Sequence, residues 1–244
     1  SMDYSIILMD RYRQEKEKGL APTEAMKEAL AMAGLPEDTK VDYAVSTGYG
    51  RNNVAGMNED ISEISCHARG AHHANPNVQT IVDIGGQDCK VISINKRGRV
   101  VEFQMNDKCS AGTGRFFEVM TRVLDCSFEE LADNALKSSS PRQISKQCSV
   151  FAESEVISLI NSLVPVEDSA AGIHESIARR IHGMLFKVGI NPDVALTGGC
   201  ARNKALVAAL QKLLKLELAP LNVNPQIMGA LGAALFALEH ATEG

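Results

Sequence analysis

The sequence predicts an α/β protein, and three observations lead to that class. Short apolar segments with the character of strands alternate with longer helical segments along most of the chain. Three of these strands follow one another as a meander, and a later strand is flanked by helices. The chain has 244 residues, of which 45% are hydrophobic and 23% charged, which suits a globular core in one large domain or two lobes.

The N-terminal part begins with a predicted helix. Thr23 is a suitable N-cap for a helix over residues 24–33, which Gly34 ends. Alternating polarity predicts a strand over residues 41–46, and residues 61–73 have the apolar spacing of a helix.

The middle of the chain is the predicted meander. Residues 80–84 form a strand of the buried type and lead into Gly85 and Gly86. A second strand follows over residues 89–95, and a charged hairpin turn joins it to a third strand over residues 100–105. The meander therefore has a glycine loop at one end.

The C-terminal half is mostly helical. One strand is predicted over residues 193–197, and it ends at Gly198 and Gly199. The helices are predicted over residues 112–123, 128–134, 150–163, 170–188, 203–214 and 228–240.

Composition and charge exclude several classes of partner. The formal net charge is −5, there is no Trp, and no basic stripe is interleaved with aromatic residues, so no nucleic-acid partner is expected. No apolar run approaches the roughly 18 residues of a membrane-spanning helix, and no signal peptide opens the chain. A cytoplasmic protein without a membrane partner is expected.

Two strand-to-glycine motifs indicate a nucleotide site. Asp83 ends a strand, and the glycines after it let backbone N–H groups approach an anion, while the carboxylates of Asp83 and Asp88 could hold Mg²⁺, usually through water. The alternative is a tight hairpin turn with an exposed aspartate. Gly198 and Gly199 again follow a strand and precede a helix, a geometry that suits ribose and phosphate groups.

A third glycine motif opens the last helix at Gly229, where small residues would let a flat ring or another backbone lie close; helix packing is the alternative. The order of these three motifs is that of the actin-like ATPase fold of sugar kinases and heat-shock ATPases. The chain has no G-x-x-x-x-G-K-[ST] segment, so a P-loop is excluded.

Two cysteines are singled out by their positions. Cys109 and Cys148 each precede a predicted helix, whose N–H groups and dipole lower the pKa of a thiol. A [4Fe–4S] cluster takes four cysteines, so a two-fold dimer would have to supply the second pair. On spacing alone, a disulfide, a zinc site shared by two chains and two buried thiols stay open as alternatives.

The other cysteines are expected to be small buried hydrophobes, since free Cys is frequently buried: Cys66, Cys89, Cys126 and Cys200. A neighbouring group of histidines is expected at the surface: His67, His72 and His73.

Taken together, the motifs resemble the activators of (R)-2-hydroxyacyl-CoA dehydratases, the archerase group of the BadF/BadG/BcrA/BcrD-type ATPases. The similarity covers about residues 40–240. It is carried by residues 83–88, 109–115, 148–155 and 197–199, with further likeness at residues 46–52 and 63–68.

The resemblance implies a two-lobed actin-like ATPase fold, related to ribonuclease H, in a homodimer that shares one [4Fe–4S] cluster. Cys109 and Cys148 would be the cluster ligands. The family uses ATP to drive one electron from ferredoxin or flavodoxin onto a 2-hydroxyacyl-CoA dehydratase, or a related reductase, which are the implied partners.

The resemblance also implies a site for ATP or ADP with Mg²⁺. The residues that match the second phosphate loop are Asp83, Gly85, Gly86 and Gln87, and those that match the adenosine loop are Gly198 and Gly199.

The opening of the chain departs from this pattern. Actin-like ATPases begin with a strand, an acidic residue and a Gly-Ser/Thr hairpin, whereas no glycine precedes Gly19 here. We therefore expect an atypical segment over residues 1–34, an activator region over residues 35–244 and an incomplete first lobe. Cluster binding should be better preserved than ATP hydrolysis. The alternatives are an ATPase-impaired homologue that keeps cluster and dimer, and a small-metabolite kinase of the same fold.

Overall fold

A computed structural model defines the architecture of the central and C-terminal parts of the chain. Cys109, Cys148 and the whole of segment 1–34, including the helix expected over residues 24–33, lie outside the described residues. The structure describes residues 41–48, 50–54, 56–106, 112–144 and 149–243.

The described residues alternate between strands and helices, as the sequence predicts. The strands are β1 (Val45–Ser46), β2 (Glu59–Asp60), β3 (Thr80–Ile84), β4 (Cys89–Ile94), β5 (Val100–Asn106) and β6 (Val194–Thr197). The helices are α1 (Glu63–Ala74), α2 (Gly114–Val123), α3 (Phe128–Lys137), α4 (Ser149–Asn161), α5 (Val166–Val188), α6 (Lys204–Leu214) and α7 (Met228–Glu243).

The main sheet has four strands in the order β5-β4-β3-β6. The strands β3, β4 and β5 pair antiparallel as the predicted meander, and β6 pairs parallel with β3 in a register that sets Asp83 beside Thr197. Because β3 and β6 run in the same direction, their carboxyl ends lie at one edge of the sheet. The glycine motifs that follow these two strands are therefore brought together.

Helices cover both faces of the sheet, so β3 and β4 are buried on both sides. One face packs Val82 and Val91 against α2, α3, α5 and α6, and the other packs Ile81 and Ile92 against α1 and α7. Alternate residues of a strand point to opposite faces, which is why neighbouring residues of β3 belong to different clusters. The sheet is the middle layer of a three-layer α/β structure.

The element boundaries differ most from the prediction in two places, and the other predicted elements in the described residues begin and end within three residues of the predicted positions. The strand predicted over residues 41–46 shortens to β1, because the N–H group of Ala44 donates to the side-chain oxygen of Asn58 at 2.8 Å instead of continuing the ladder. Helix α5 begins four residues before the predicted start at residue 170. Its first turn carries Glu167 and Asp168, which favour the positive end of the helix dipole.

A second, smaller sheet contacts the last helix through β1. The strands β1 and β2 pair in parallel, and α7 packs closely along α1. A Cβ atom built on Gly232 of α7 would clash with the Cys66 carbonyl of α1, so part of the small-residue motif serves helix packing. Within the ranges described above, no helix is long and apolar enough to cross a membrane.

Candidate functional site

Asp83 is the central residue of the candidate nucleotide site. It lies near the end of β3 and is only 3% exposed, so it is not the exposed turn aspartate of the alternative interpretation. Its Oδ1 accepts a hydrogen bond of 2.8 Å from the hydroxyl of Thr197. Burial alone would raise the pKa of Asp83, but His67, Lys90 and Thr197 together hold that pKa below its ordinary value. The carboxylate is therefore charged at neutral pH.

Lys90 is the counter-ion of this site, and it is almost completely buried in β4. Its ammonium nitrogen lies 2.8 Å from Asp88 Oδ1, 3.3 Å from Asp83 Oδ2 and 3.3 Å from Glu63 Oε1. Burial disfavours the charged lysine, but the carboxylates outweigh it and raise the pKa of Lys90 above its ordinary value. Because Glu63 lies on α1, the lysine also ties that helix to the sheet.

His67 faces the same carboxylate from α1. Its Nδ1 lies 3.4 Å from Asp83 Oδ1, and a Cβ atom built on Gly229 would lie 3.0 Å from its Nε2. The prediction of surface histidines is therefore wrong for His67, and also for His72, which is partly buried beside Gly98. His73 is exposed, as predicted.

Three of these partners were not singled out as functional from the sequence. Lys90 stands alone as a charge in an otherwise apolar strand, which is a signal that it must be paired when buried. Glu63 and His67 are four residues apart on α1 and so lie on one face of that helix. What the sequence could not indicate is that this face lies against β3 and β4.

The first glycine loop is a tight turn between β3 and β4. The N–H group of Gly85 donates to the Asp88 carbonyl at 3.0 Å, while Gly86 and Gln87 are exposed at the tip. A Cβ atom built on Gly86 would have no neighbour within 4 Å, so the space above it is open. The loop can therefore be approached by a ligand from outside the sheet edge.

The same loop is joined to the start of α2. The N–H groups of Gly114 and Arg115 donate to the carbonyls of Gly85 and Gly86, each at 2.9 Å. These are two of the N–H groups that a helix leaves unpaired at its beginning. The helix that follows the Cys109 segment thus rests directly on the loop predicted to hold phosphates.

The second glycine pair combines a buried glycine that the backbone geometry requires with an exposed one. Gly198 has a φ of 83°, and a Cβ atom there would clash with the Ile84 carbonyl at the end of β3. Its N–H group donates to the Pro225 carbonyl at 3.0 Å. Gly199 is exposed and begins a 3₁₀ turn that leads to α6. The two glycine loops therefore lie side by side at the carboxyl ends of β3 and β6.

This edge fits a nucleotide better than a metal held by protein ligands alone. Asp83 and Asp88 both contact Lys90, which leaves a mixed-charge cluster instead of a set of free carboxylates. Across the part of the chain that the structure describes, no three His, Cys, Asp or Glu side chains are grouped as metal ligands. A Mg²⁺ ion at this edge would need oxygens from phosphates and water, which is how that ion is usually bound beside nucleotides.

The cysteines outside the proposed cluster motifs are mostly buried, as predicted. Burial raises the pKa of Cys66 and of Cys89 to about 11 and that of Cys200 to about 12. Cys126 is half-buried, and burial raises its pKa as well. Thiols with a raised pKa are poor nucleophiles, and the burial of Cys66, Cys89 and Cys200 fits the prediction of small buried hydrophobes.

The sheet order, the paired glycine loops and the helices on both faces define an actin-like ATPase. The model of the BadF/BadG/BcrA/BcrD ATPase family matches residues 8–237, and the chain belongs to this family.

Two curated relatives and one solved structure are similar over most of the chain. The activator of lactoyl-CoA dehydratase from Anaerotignum propionicum is 45% identical over 222 residues, 90% of this chain and 84% of that protein. The (R)-2-hydroxyglutaryl-CoA dehydratase activating ATPase of Acidaminococcus fermentans is 44% identical over 225 residues, 91% of this chain and 85% of that protein. The structure of the activator of the 2-hydroxyisocaproyl-CoA dehydratase from Clostridium difficile, with bound ADPNP, has a TM-score of 0.83 at 42% identity and covers 91% of this chain and 82% of its own.

Proposed function

We propose that this protein activates a 2-hydroxyacyl-CoA dehydratase, or a related reductase, by passing it one electron from ferredoxin or flavodoxin at the expense of ATP. The similar proteins are named as activators of lactoyl-CoA dehydratase and of (R)-2-hydroxyglutaryl-CoA dehydratase, and they match most of the chain. The site supports the proposal because two glycine loops and a charged Asp83 meet at one edge of the sheet. The acyl-CoA itself would be bound by the dehydratase.

We infer that the nucleotide occupies the edge between the two glycine loops. Gly85, Gly86 and Gln87 would approach the phosphates, and Gly198 and Gly199 would approach the adenosine. Asp83 would hold a water of the Mg²⁺ ion, since Lys90 already contacts its second oxygen at 3.3 Å. Gly229 keeps the start of α7 close to His67 at the rim of this edge.

We further infer that Cys109 and Cys148 of two chains hold one [4Fe–4S] cluster. The donor set fits the group, because four thiolates are needed and each chain offers two that precede helices, α2 and α4. These two helices pack against each other. When bound, the cluster would supply one-electron transfer to the dehydratase.

The observation that carries the proposal is the link between the phosphate loop and α2. A nucleotide that shifts the Gly85–Gly86 carbonyls must also shift Gly114 and Arg115, which donate to them at 2.9 Å. Those two residues begin the helix that follows the Cys109 segment. Binding energy at the nucleotide edge would in this way change the exposure of the cluster, because a ligand favours the conformation to which it binds more tightly.

The first experiment is anaerobic purification of the full chain with iron and sulfide analysis. The expected result is a dimer with about four irons per two chains. Cys109→Ser and Cys148→Ser should each lose the iron, whereas Cys126→Ser, at a half-buried cysteine outside these motifs, should retain it. A monomer without iron, or iron that survives in both motif variants, would contradict the proposal.

A second experiment tests the link to the nucleotide. Arg115→Pro removes the N–H group that donates to Gly86, and Arg115→Ala keeps it. ADP and ATP should change the rate at which a chelator removes iron from the wild type and from Arg115→Ala, but not from Arg115→Pro. Likewise, ATP should support reduction of a dehydratase by reduced ferredoxin or flavodoxin with the wild type and Arg115→Ala, but not with Arg115→Pro. Equal nucleotide effects in both variants would exclude this link.

A further inference from the structure

His174 is a buried histidine that the proposed activation mechanism does not use. It lies in the first half of α5, is only 1% exposed, and packs its ring against that of Phe117 on α2 at a centroid distance of 5.0 Å. Its Nδ1 lies 2.7 Å from the Ala170 carbonyl, one turn earlier on α5. Its Nε2 lies 3.1 Å from the side-chain nitrogen of Asn203. The ring therefore joins α5 to the residue that precedes α6.

Asn203 is the residue that connects the second glycine loop to α6. Its N–H group donates to the Cys200 carbonyl at 3.0 Å and closes the 3₁₀ turn that begins at Gly199. Its side-chain oxygen accepts from the Leu206 N–H group at 3.0 Å and so caps the N-terminus of α6. The end of the loop, the start of the helix and the contact with His174 therefore depend on one asparagine.

These contacts allow only one protonation state of His174. The Ala170 carbonyl can only accept a hydrogen bond, so Nδ1 carries a proton. The Leu206 N–H group can only donate, which fixes the side-chain oxygen of Asn203 toward it and turns the NH₂ group toward His174. Nε2 must therefore accept, and the ring is neutral. A second proton on Nε2 would set two donors against each other at 3.1 Å.

The surroundings of His174 offer a positive charge no compensation. Burial lowers the pKa of His174 below its ordinary value, and no charged side chain of the described residues contributes to that pKa. The charged residues of α2, α3 and α6 are all exposed. Glu153 and Glu155 of α4 are half-buried but do not contribute, and Glu175, the next residue of α5, lies 3.1 Å from Lys212 instead. A protonated ring would therefore have no counter-ion.

We propose that neutral His174 is a positioning residue for the nucleotide, which holds the adenosine loop in place through Asn203. The inference rests on the proposed function, in which Gly198 and Gly199 approach the adenosine. His174 is buried away from any ligand, so it acts by fixing the 3₁₀ turn at whose start Gly199 is exposed. The ring gains its second proton only below the ordinary histidine pKa of 6.5, so nucleotide affinity should fall as the solution becomes acidic.

The test is calorimetric titration of the anaerobically purified full chain with ADP and Mg²⁺, between about pH 8 and pH 5. His174→Gln keeps an acceptor near the position of Nε2 and cannot gain a charge, whereas His174→Asn keeps only the donor near Nδ1. At the alkaline end, His174→Asn should bind ADP roughly two- to tenfold more weakly than the wild type, because it loses one hydrogen bond. His174→Gln should bind ADP there as the wild type does.

The difference in pH dependence between the wild type and His174→Gln decides the inference. Over this range the wild type should lose about fivefold more affinity for ADP than the variant does. Every other titrating group, on ADP or on the protein, is present in both titrations. Equal pH dependence, with ADP bound by both proteins, would overturn the inference and leave the proposed function intact. No binding of ADP by the wild type at any pH would overturn both.

Asn203→Asp tests the inference from the other partner, even if the substitutions at the buried histidine fail to fold. Aspartate keeps the oxygen that caps α6 but replaces the NH₂ group by a second acceptor. A proton on Nε2 of His174 would then form a hydrogen bond instead of breaking one. Asn203→Asp should therefore lose less ADP affinity in acid than the wild type. An equal or larger loss would overturn the inference.

Discussion

The hydroxyl of Thr197 donates a hydrogen bond of 2.8 Å to Oδ1 of Asp83, although 114 residues separate the two in sequence. They are neighbours because β3 and β6 pair in parallel with Asp83 opposite Thr197. The bond joins the strand that ends in the first glycine loop to the strand that ends in the second. The edge proposed to bind the nucleotide is thus built around a buried, charged carboxylate that β3, β4 and β6 hold in place.

Replacing Thr197 by valine should reduce stability by about 1–3 kcal/mol, because a buried charged acceptor loses one of its donors. Urea denaturation would measure the loss in the free energy of unfolding. Thr242→Val is the matched control, since the exposed Thr242 hydroxyl donates only within its own helix, to Leu238 at 2.9 Å. An equal loss in the two variants would contradict the role of the Thr197–Asp83 bond.

Replacing Lys90 by methionine should destabilise the protein more strongly, by about 3–5 kcal/mol, because it leaves buried carboxylates without their counter-ion. Lys137→Met, at an exposed position in the last turn of α3, should change stability by less than about 1 kcal/mol. Adding Glu63→Gln to Lys90→Met should recover part of the loss, because it removes one of the unpaired charges. A double variant as unstable as the sum of the two single variants would show that Glu63 and Lys90 are not coupled.

The lowered pKa of Asp83 should make the free energy of unfolding decrease as the pH becomes acidic. Its pKa is lowered in the folded state from an ordinary value of 3.8, so its contribution is present above that value and is lost as pH falls toward the folded pKa. In urea denaturation between neutral pH and about pH 3, the difference in the free energy of unfolding between wild type and Asp83→Asn should shrink below about pH 4. A difference that stays constant over this range would mean that the pKa of Asp83 is not lowered by folding.

Replacing Gly198 by alanine should reduce stability, whereas replacing the adjacent Gly199 by alanine should not. Gly198→Ala places a side chain on a left-handed backbone and against the Ile84 carbonyl, so it should cost more than about 1 kcal/mol of stability. Gly199→Ala meets only the side-chain nitrogen of Gln226 at 3.5 Å and should leave stability nearly unchanged. Calorimetric titration with ADP should nevertheless show weaker binding by Gly199→Ala, since this glycine is exposed at the proposed adenosine loop. Normal ADP affinity in that variant would contradict its placement in the site.

The strands and turns of the meander could be predicted from the sequence because each depends on residues that are close together in the chain. An apolar run ending in Gly85 and Gly86 specifies β3 and its turn, and β3 spans the predicted residues 80–84. The charged hairpin turn likewise separates β4 from β5. The start of α5 was missed because its acidic first turn has no apolar periodicity, although it suits a helix N-terminus.

The partners of Asp83 could be recognised only in part. The sequence indicates Asp83 as a site residue because it ends a strand that leads into two glycines, and it includes Thr197 in the second glycine motif. Lys90 carries a signal as a lone charge in an apolar strand, but the sequence does not reveal that Glu63 completes its environment. His67 was expected at the surface, whereas α1 turns it toward Asp83, to an Nδ1–Oδ1 distance of 3.4 Å.

The sequence by itself determined the α/β class, the strand-to-glycine motifs and the family resemblance, because each depends on residues that are close together in the chain. Only the tertiary structure decided which charges meet, since parallel pairing of β3 with β6 and the packing of α1 on the sheet join residues far apart in sequence. It also decided that the carbonyls of the first glycine loop accept N–H groups of α2. Burial explains why these contacts matter, because in a site with little water each charge must find a partner within the protein.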